Sequence, residues 1–301
     1  MPKKIVSVVI PTFNREQEVL ACVESFYKSD YPSFEIIVVD NASVDNTVFQ
    51  LNSKYPSVKV VRLQENFGAS VARNEGAKNS LGEYICFVDS DNTVDVKMLS
   101  ELVRLIETDE RIGLVGPKMR YLKDPTRLWY AGADINLLTS RTRYVGINEI
   151  DNGQHDVVRE VGHIPNLWLI RRSVIEKIGL IDTSYVMHYE ESDWAMRAHL
   201  AGYRILFCPT AITYHNMPLT ESGTLRAIIG FDNKYRIFYA ARNRILFMRK
   251  YAGSIKFPIF ILLFNNLFLL QYCLILLRHK RFDLVISYFN GYMSGLAWLF
   301  S

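Results

Sequence analysis

The sequence predicts an α/β fold in which a mostly parallel sheet carries helices on both faces. Short runs rich in Val and Ile alternate with segments of helical spacing over the first third of the chain. These runs are apolar at successive positions, as strands are when helices cover both faces of their sheet. With 301 residues, 49% of them hydrophobic, the chain is long enough to bury such a core.

Four strands and three helices are predicted in alternation in this first third. The strands are 5–10, 34–40, 58–63 and 84–89, and the helices between them are 16–28, 46–54 and 69–80. In a parallel sheet of this kind, ligands bind at the carboxyl ends of the strands, where the strand order switches. We therefore expect the loops that follow these four strands to line one crevice.

Polar residues fill those four loops. Asn, Asp and Gly at such positions also make turns and cap helices, and for any single loop this role would be sufficient. Four successive polar loops that end in Asp-Ser-Asp favour a nucleotide pocket instead. The candidate binding residues are Pro11, Thr12, Asn14, Asp40, Asn41, Asn66, Gly68 and Asp89.

Two aspartates lie one residue apart at the end of the fourth strand. In an extended chain the side chains of residues i and i+2 point the same way, so Asp89 and Asp91 are expected to converge on a cation. Neither GxGxxG nor GxxxxGK[ST] occurs in this third of the chain. A metal or basic side chains must therefore neutralise the phosphates of a nucleotide.

The second half of the chain contains an acidic turn. The region 111–152 is rich in Gly and Asn and offers no assignable chemistry, whereas 162–182 predicts a strand, a helix and a terminating Gly. Glu190, Glu191 and Asp193 then crowd the first turn of a helix, where acids also serve as partners of the helix dipole. A further strand-like run ends at His215, and a lone His is more often a packing residue than a ligand.

The C-terminal part is basic and apolar. Between Arg226 and Arg281 there are 11 Lys or Arg and one acid, and the segment 257–277 carries no charge over 21 residues. A single crossing would place the basic residues 278–281 outside, against the positive-inside rule. We therefore expect a helix that lies in the membrane plane or re-enters it, with 284–300 packed beside it.

Cysteine usage and the N-terminus indicate the compartment. The four cysteines form no CxxC pair, which suggests reduced thiols and no zinc site. The first apolar run ends at Pro11, too early for a signal-peptide core, so the chain is expected to begin in the cytosol. We expect a catalytic domain over 1–225, with a donor half to about residue 110, and a membrane-associating region over 226–301.

Six segments together resemble family 2 glycosyltransferases of the GT-A fold, in the rhamnosyltransferase-like branch. The similarity runs from about Ser7 to Lys250, and its specificity lies in the order and spacing of the segments. They are VSVVIPTFNR, VVDNASVDNT, NFGASVARNEGA, FVDSDN, YEESDWAMRAHLAGYRI and YAARNRILFMRKY.

The resemblance implies a UDP- or dTDP-sugar donor and a Mg or Mn ion. Asp40 would accept from the base and Asp89 would contact the ribose. Asp91 would ligate the metal, a hard cation that prefers oxygen ligands, and His215 would be a further ligand or diphosphate contact. Arg73 would contact the pyrophosphate.

The resemblance also implies inversion at the anomeric carbon by a general base in the acidic turn. The family motif has Glu-Asp where this chain has Glu190 and Glu191. Glu191 is therefore the preferred base, with Glu190 and Asp193 as alternatives. The acceptor would be a glycan or lipid-linked hydroxyl at the cytoplasmic face of the cell membrane, and no nucleic acid is expected as a partner.

Two other functions fit parts of the sequence. A sugar-phosphate nucleotidyltransferase shares an α/β nucleotide pocket, but its Gly-rich basic signature does not follow Ile10. A membrane-anchored protein that binds a nucleotide sugar without catalysis would not require the acidic turn.

Overall fold

The computed structural model describes residues 5–219, 224–225, 229–230 and 232–300. The chain forms two compact units. The sheet unit comprises Met1–Asp134, Tyr144–Thr183 and Trp194–Pro218. The helical unit comprises Ile135–Arg143, Ser184–Asp193 and Leu219–Ser301.

The sheet unit begins with strictly alternating strands and helices. The seven elements are β1 (Val6–Thr12), α1 (Glu16–Tyr27), β2 (Phe34–Asp40), α2 (Thr47–Lys54), β3 (Lys59–Arg62), α3 (Ala69–Lys78) and β4 (Tyr84–Val88). Every residue of β1 and β4 is buried, because helices cover the sheet on both faces. The predicted boundaries are confirmed to within two residues. The strands lie in the order β4-β1-β2-β3, and all three pairs are parallel, as predicted.

The remaining strands extend this sheet beyond β4. They and their helices are β5 (Asn92–Val94), α4 (Met98–Ile106), β6 (Ile112–Tyr121), β7 (Leu128–Tyr130), β10 (Arg159–Glu160), β11 (Leu167–Arg171), α5 (Arg172–Ile178) and β12 (Arg204–His215). Between β7 and β10, β8 (Ala133–Ile135) and β9 (Thr142–Tyr144) form a separate ribbon.

The complete sheet has the order β10-β12-β6-β11-β4-β1-β2-β3, with β5 on β12 and β7 on β6. Strand β11 inserts antiparallel between β4 and β6, whereas β6 and β12 are parallel. The strand order switches at β1, because β2 and β3 follow on one side and β4 returns to the other. The crevice for a ligand is therefore expected between the loops that follow β1 and β4.

Helix α3 lies unusually close to strand β1. A Cβ atom on Gly76 would lie 2.2 Å from Cγ1 of Val9, so only glycine allows this approach. The side chain of Asn74 fixes the same helix, since it donates to the carbonyl of Ile181 at 2.9 Å and accepts from the Ile181 amide at 3.0 Å. This packing sets the position of Arg73 at the edge of the crevice.

The helical unit contains the first turn of α6 (Glu190–Leu200) and the C-terminal helices. The C-terminal helices are α7 (Lys234–Tyr251), α8 (Gly253–Ile259), α9 (Asn265–Arg278) and α10 (Phe282–Trp298), and a π-helical turn (Phe260–Phe264) joins α8 to α9. Helix α10 packs against α9, as expected, and against α7. A Cβ on Gly291 would lie 2.2 Å from the carbonyl oxygen of Phe238, so glycine is required where α10 crosses α7.

One helix of the described residues, Gly253–Arg278, is long and apolar enough to cross a membrane. Only 22% of its most apolar window is buried. Its large exposed side chains lie three or four residues apart, except for the adjacent Leu262 and Leu263, and are here termed the apolar stripe: Ile255, Ile259, Leu262, Leu263, Leu267, Leu270, Leu274 and Leu277. Helix α10 exposes a similar series, which includes Phe282, Ile286, Phe289 and Met293.

Candidate active site

The loops after β1 and β2 are joined by hydrogen bonds. The amide of Asn14 donates to Oγ of Ser43 at 2.8 Å, and its Oδ1 accepts from the amide of Val44 at 2.8 Å. Asn14 adopts a left-handed conformation (φ 50°), which Asn tolerates better than most residues. The amide of Asn41 donates to the carbonyl of Thr12 at 2.9 Å. These contacts bring three predicted binding residues together at the carboxyl end of the sheet.

Asp40 is fully buried at the end of β2. Both of its carboxylate oxygens accept from the amide of Ser43 at 3.2 Å, and Nε of Arg62 lies 3.5 Å from Oδ2. Asp40 therefore stabilises the turn that follows β2, in addition to any contact with a nucleotide base. The exposed Arg62 supplies a positive charge that the sequence analysis did not assign.

The loop before α3 is hydrogen-bonded to the loop that follows β2. Nδ2 of Asn41 donates to the carbonyl of Gly68 at 3.3 Å, and Oδ1 of Asn66 accepts from the Gly68 amide at 3.0 Å. Gly68 has φ 86° at the start of α3, a conformation that side-chain-bearing residues rarely adopt. The three predicted loops after β1, β2 and β3 therefore form one connected surface.

Arg73 is buried and paired with Asp89. Its Nη2 donates to Oδ1 of Asp89 at 2.6 Å, and its guanidinium lies 5.0 Å from the centroid of the Trp168 ring. This ion pair and the aromatic contact hold the carboxylate of Asp89 in place. Arg73 and Asp89, both of which are predicted binding residues, therefore contact each other.

Asp89 and Asp91 contact different side chains, and the chain between them is not extended as the sequence analysis assumed. Strand β4 ends at Val88, and the amide of Asn92 donates to the carbonyl of Asp89 at 3.1 Å, which closes a turn. Whereas Asp89 pairs with Arg73, Oδ2 of Asp91 accepts from Nη1 of Arg15 at 2.6 Å. Because the chain turns here, the period of two no longer governs side-chain direction.

His215 lies beside Asp91 at the end of β12. Nε2 of His215 is 3.4 Å from Oδ1 of Asp91, and the imidazole is almost completely buried. Nδ2 of Asn166 lies 3.3 Å from a ring nitrogen of His215, and the edge of Trp129 contacts the ring at a centroid distance of 4.9 Å. His215 is thus oriented from two sides, as a ligand residue commonly is.

Three residues around this pair were not assigned by the sequence analysis: Arg15, Trp129 and Asn166. Arg15 stands in the quoted VSVVIPTFNR segment, so its position after β1 offered a signal. Asn166 is left-handed (φ 64°), and its carbonyl accepts from the amide of Asp89 at 3.0 Å. Its contact with His215 depends on the insertion of β11 beside β4, which periodicity does not reveal.

The carboxylate of Asp91 is strongly stabilised in its ionised form. Burial alone would raise its pKa, but interaction with His215 and the charge of Arg15 lower that pKa to about 2. Its Oδ1 is buried and lies 3.4 Å from Nε2 of His215. A buried anionic oxygen beside an imidazole nitrogen is a donor set that fits a divalent cation.

Several buried polar atoms at the strand ends lack hydrogen bonds within the described ranges. They include Oγ1 of Thr12 and Oδ1 of Asn41. Native proteins leave few such atoms unsatisfied, and those that remain often face a ligand or water. Their location at the switch point agrees with the predicted ligand crevice.

The acidic turn belongs to the helical unit and follows a strained loop. Val186, His188 and Tyr189 have φ of 61°, 64° and 70°, and a left-handed β-branched residue is especially rare. Nδ2 of Asn243 lies within hydrogen-bond distance of the carbonyls of Tyr185, Met187 and His188, at 2.6, 2.7 and 3.1 Å. Helix α7 thereby holds the loop that leads into Glu190.

The three acids of this turn differ in their surroundings. Asp193 is fully buried, and its Oδ1 accepts from Nζ of Lys250 at 2.6 Å and from the hydroxyl of Tyr251 at 2.7 Å. Glu190 and Glu191 are partly exposed. Asp193 therefore anchors two neighbouring side chains from a buried position, whereas Glu190 and Glu191 are the partly exposed acids of the turn.

Solved structures share the fold of this chain. A crystal structure of GalNAc-T7 with UDP, GalNAc and Mn²⁺ aligns with a TM-score of 0.60 at 19% identity, covering 79% of this chain and 48% of that chain. The mannosyltransferase PcManGT from Pyrobaculum calidifontis, in complex with GDP-Man and Mn²⁺, aligns at 0.55 and 17% identity, covering 97% and 86%. S. aureus TarS 1-349 with UDP-GlcNAc aligns at 0.56 and 22% identity, covering 84% and 69%. At these identities the similarity establishes the GT-A fold alone.

Sequence relatives point to the same family. The protein named Probable glycosyltransferase YdaM of Bacillus subtilis (strain 168) is 29% identical over 328 residues, covering 99% of this chain and 71% of its own length. The poly-beta-1,6-N-acetyl-D-glucosamine synthase of Staphylococcus aureus (strain COL) is 23% identical over 286 residues, covering 91% of this chain and 64% of its own length. The family model described as Glycosyl transferase family 2 matches residues 7–179, more than half of the chain. The chain therefore belongs to glycosyl transferase family 2 and is a glycosyltransferase.

Proposed function

We propose that this glycosyltransferase moves a sugar from a nucleoside-diphosphate donor to a hydroxyl of a glycan or lipid-linked acceptor, with inversion and with Mg or Mn bound. The observation that carries the proposal is the ionised carboxylate of Asp91 beside His215, among polar atoms without hydrogen bonds at the strand ends. Similar structures, which were solved with UDP and Mn²⁺, with UDP-GlcNAc, and with GDP-Man and Mn²⁺, support it. The arginine-rich helix α7 supports placement in the rhamnosyltransferase-like branch.

The donor nucleotide is assigned to the loops after β1, β2 and β3. Thr12 and Asn41 each offer a buried polar atom that has no hydrogen bond within the described part of the chain. Asp40 would meet the base of a UDP- or dTDP-sugar, and Asp89, held by Arg73, would contact the ribose. Arg73 and the more exposed Arg15 would place positive charge near the diphosphate.

The metal is assigned to Oδ1 of Asp91 and Nε2 of His215. When bound, it would supply Lewis-acid stabilisation to the leaving diphosphate. The described residues contain no group of three or more His, Cys, Asp or Glu that could hold a metal. Phosphate oxygens of the nucleotide-sugar donor and water would therefore complete the coordination of the metal, as they do in many Mg²⁺ sites.

Glu191 is proposed as the general base that accepts the proton of the acceptor hydroxyl. It is partly exposed; Asn243 bonds the loop that precedes its helical turn, and Lys250 bonds Asp193 within that turn. Attack assisted by a base on the face opposite the leaving group gives inversion. Glu190 is the alternative base, because it is also partly exposed.

We further propose that residues 226–301 associate with the cytoplasmic face of the cell membrane. The support is the apolar stripe together with basic residues before and after the same helix: Arg249, Lys250, Lys256, Arg278, Lys280 and Arg281. Basic side chains at both ends favour a helix in the membrane plane, because a single crossing would place one basic cluster outside.

Incubation of the full-length enzyme with a panel of nucleotide sugars, with Mn²⁺, Mg²⁺ or a chelator, tests the proposal. We expect release of nucleoside diphosphate from one donor class, dependent on metal and stimulated by an acceptor extract. Equal release in the chelator would contradict the metal assignment. Donor binding without release under any condition would indicate a binding protein, and pyrophosphate release from a nucleoside triphosphate would indicate a nucleotidyltransferase.

A further inference from the structure

The helical unit contains a buried arginine that has no acidic partner among the described residues. Arg244 is 7% exposed, and among the described residues it donates to two hydroxyls, from Nη1 to that of Tyr288 at 3.1 Å and from Nη2 to that of Tyr272 at 3.5 Å. Its Nε is buried and donates to no group in the described residues. No described carboxylate lies within ion-pair distance of this guanidinium. A buried charge is costly unless an opposite charge accompanies it.

Aromatic rings offset only part of that cost. The guanidinium of Arg244 lies 4.4 Å from the ring centroid of Phe268 and 5.4 Å from that of Tyr272. Tyr272 in turn stacks on Tyr288, with centroids 4.9 Å apart and an interplanar angle of 10°. Cation-π contacts orient the guanidinium, but the rings carry no net charge, so the described part of the chain supplies no opposite charge to it.

A second arginine meets the same ring. The guanidinium of Arg141 lies 5.2 Å from the centroid of Phe268, and its Nη2 is 3.4 Å from Oε1 of Gln271. Arg141 is exposed and, like Arg244, has no acidic partner among the described residues. Two guanidinium groups therefore contact one phenyl ring, and neither has an acidic partner among the described residues.

This arginine pair adjoins both the acidic turn and the apolar stripe. The hydroxyl of Tyr189, the residue before Glu190, donates to the carbonyl of Ser140 at 3.2 Å, next to Arg141. Phe268 and Gln271 lie on α9, the helix that exposes Leu267, Leu270 and Leu274. An anionic head group and an apolar chain therefore have adjacent surfaces within one unit.

We propose that Arg141 and Arg244 bind the phosphate or diphosphate of a lipid-linked acceptor, whose apolar chain lies along the apolar stripe. Arginine is the side chain best suited to phosphate, because its planar fork donates two parallel hydrogen bonds. The bound anion supplies the counter-charge that Arg244 lacks. This inference rests on the proposed function, because it specifies the acceptor of the same reaction.

Binding of a polyprenyl diphosphate by the full-length protein in nonionic detergent micelles provides the test, with the uncharged polyprenol of equal length as reference. We expect the diphosphate to bind at least about tenfold more tightly than the alcohol. Arg141→Gln and Arg244→Lys are expected to remove most of this preference. Arg236→Gln, an exposed arginine on the same helix as Arg244, is the matched control and retains it.

Three outcomes would overturn the inference. The first is equal binding of alcohol and diphosphate, and the second is wild-type preference in Arg141→Gln, which is informative even where Arg244→Lys fails to fold. The third is displacement of the probe by a competitor. Displacement by phosphatidylglycerol at equal mole fraction would show that the site binds membrane lipid head groups, and displacement by inorganic pyrophosphate at equal concentration would show that it binds the free anion. Donor turnover is measured in parallel. Selective probe binding without turnover of any donor would support the phosphate site and contradict the proposed function.

Discussion

Charge environment separates the roles of acidic residues that are neighbours in the sequence. Asp89 is held by Arg73, whereas Asp91 faces His215 and is contacted by Arg15. Asp193 is likewise buried and bonded to Lys250 and Tyr251, although Glu191, two residues earlier, is partly exposed. The role of each carboxylate therefore depends on the side chains that it contacts and not on the motif in which it stands.

Asp91→Asn is expected to abolish metal-dependent sugar transfer and to leave the fold intact. The amide keeps the size of the side chain but loses the anionic oxygen that a hard cation requires. Transfer is measured over a titration of Mn²⁺, and thermal unfolding reports stability. Asp95→Asn, four residues further on, is the matched control and should behave as wild type. Full activity of Asp91→Asn in Mg²⁺ or Mn²⁺ would contradict the metal assignment.

Glu191→Gln is expected to lower the rate of transfer by about a hundred- to ten-thousandfold while donor affinity stays unchanged. Glutamine preserves shape and hydrogen-bonding reach but cannot accept the proton. Single-turnover rates and donor binding are measured separately, with Glu190→Gln expected to be milder. If both glutamate variants transfer sugar at the wild-type rate, this turn does not supply the base.

Asp193→Asn is expected mainly to lower the stability of the protein, with a smaller effect on its transfer activity. The substitution removes the charge that pairs with Lys250 at 2.6 Å, in a fully buried position. Weakened bonds to a buried acceptor typically cost about 1–3 kcal/mol. Chemical denaturation gives the free energy of unfolding, and Lys250→Met provides the complementary variant. An Asp193→Asn enzyme of wild-type stability but no transfer activity would instead move the base to Asp193.

At the scale of elements, helix α7 stabilises the conformation of the loop that precedes helix α6. Asn243 of α7 lies against three carbonyls of the loop 185–188, in which left-handed residues would otherwise be unfavourable. Gly291 of α10 allows close contact with the other side of α7. Helix α7 is therefore fixed on the face opposite the loop it holds in place.

Asn243→Ala is expected to destabilise the protein by about 1–3 kcal/mol, because buried carbonyls lose their donor. Asn243→Asp should be worse, since a carboxylate repels the same carbonyl oxygens. The free energy of unfolding and kcat are measured together, and kcat should fall while the KM of the donor changes little. Asn79→Ala removes an amide that donates to Glu75 of its own helix at 3.0 Å and serves as the control. Unchanged kcat and stability in Asn243→Ala would show that the loop holds its shape unaided.

At the scale of the whole molecule, two kinds of surface coexist on one chain. The sheet unit covers its core with helices, whereas α8 to α10 expose large apolar side chains in regular rows. Rows of this extent on an exposed helix mark an interaction surface. Basic residues at both ends of the helix Gly253–Arg278 favour anionic lipid as the partner.

The full-length protein is expected to sediment with vesicles, and more completely when they contain anionic lipid. Replacement of Leu262, Leu270 and Leu274 by Gln should release it, because each loses the burial of a Leu side chain, about 1.5–3 kcal/mol. Triple replacement of exposed polar residues elsewhere on the chain is the control. Complete recovery of the wild type in the supernatant without detergent would rule out membrane association, and protease protection of residues 278–281 in sealed cytosol-out vesicles would indicate a true span.

The sequence by itself determined the α/β alternation of the first third, the boundaries of its elements to within two residues and the position of its polar loops. Such features follow from local periodicity and turn chemistry, which depend only on residues that are close in the sequence. Only the tertiary structure decided which polar groups meet. The different partners of Asp89 and Asp91 depend on a turn, whereas the contacts of Asn166 with His215 and of Asn243 with the loop 185–188 join residues distant in the chain. The contact of Asn166 requires the insertion of β11 beside β4, and no local pattern encodes that packing.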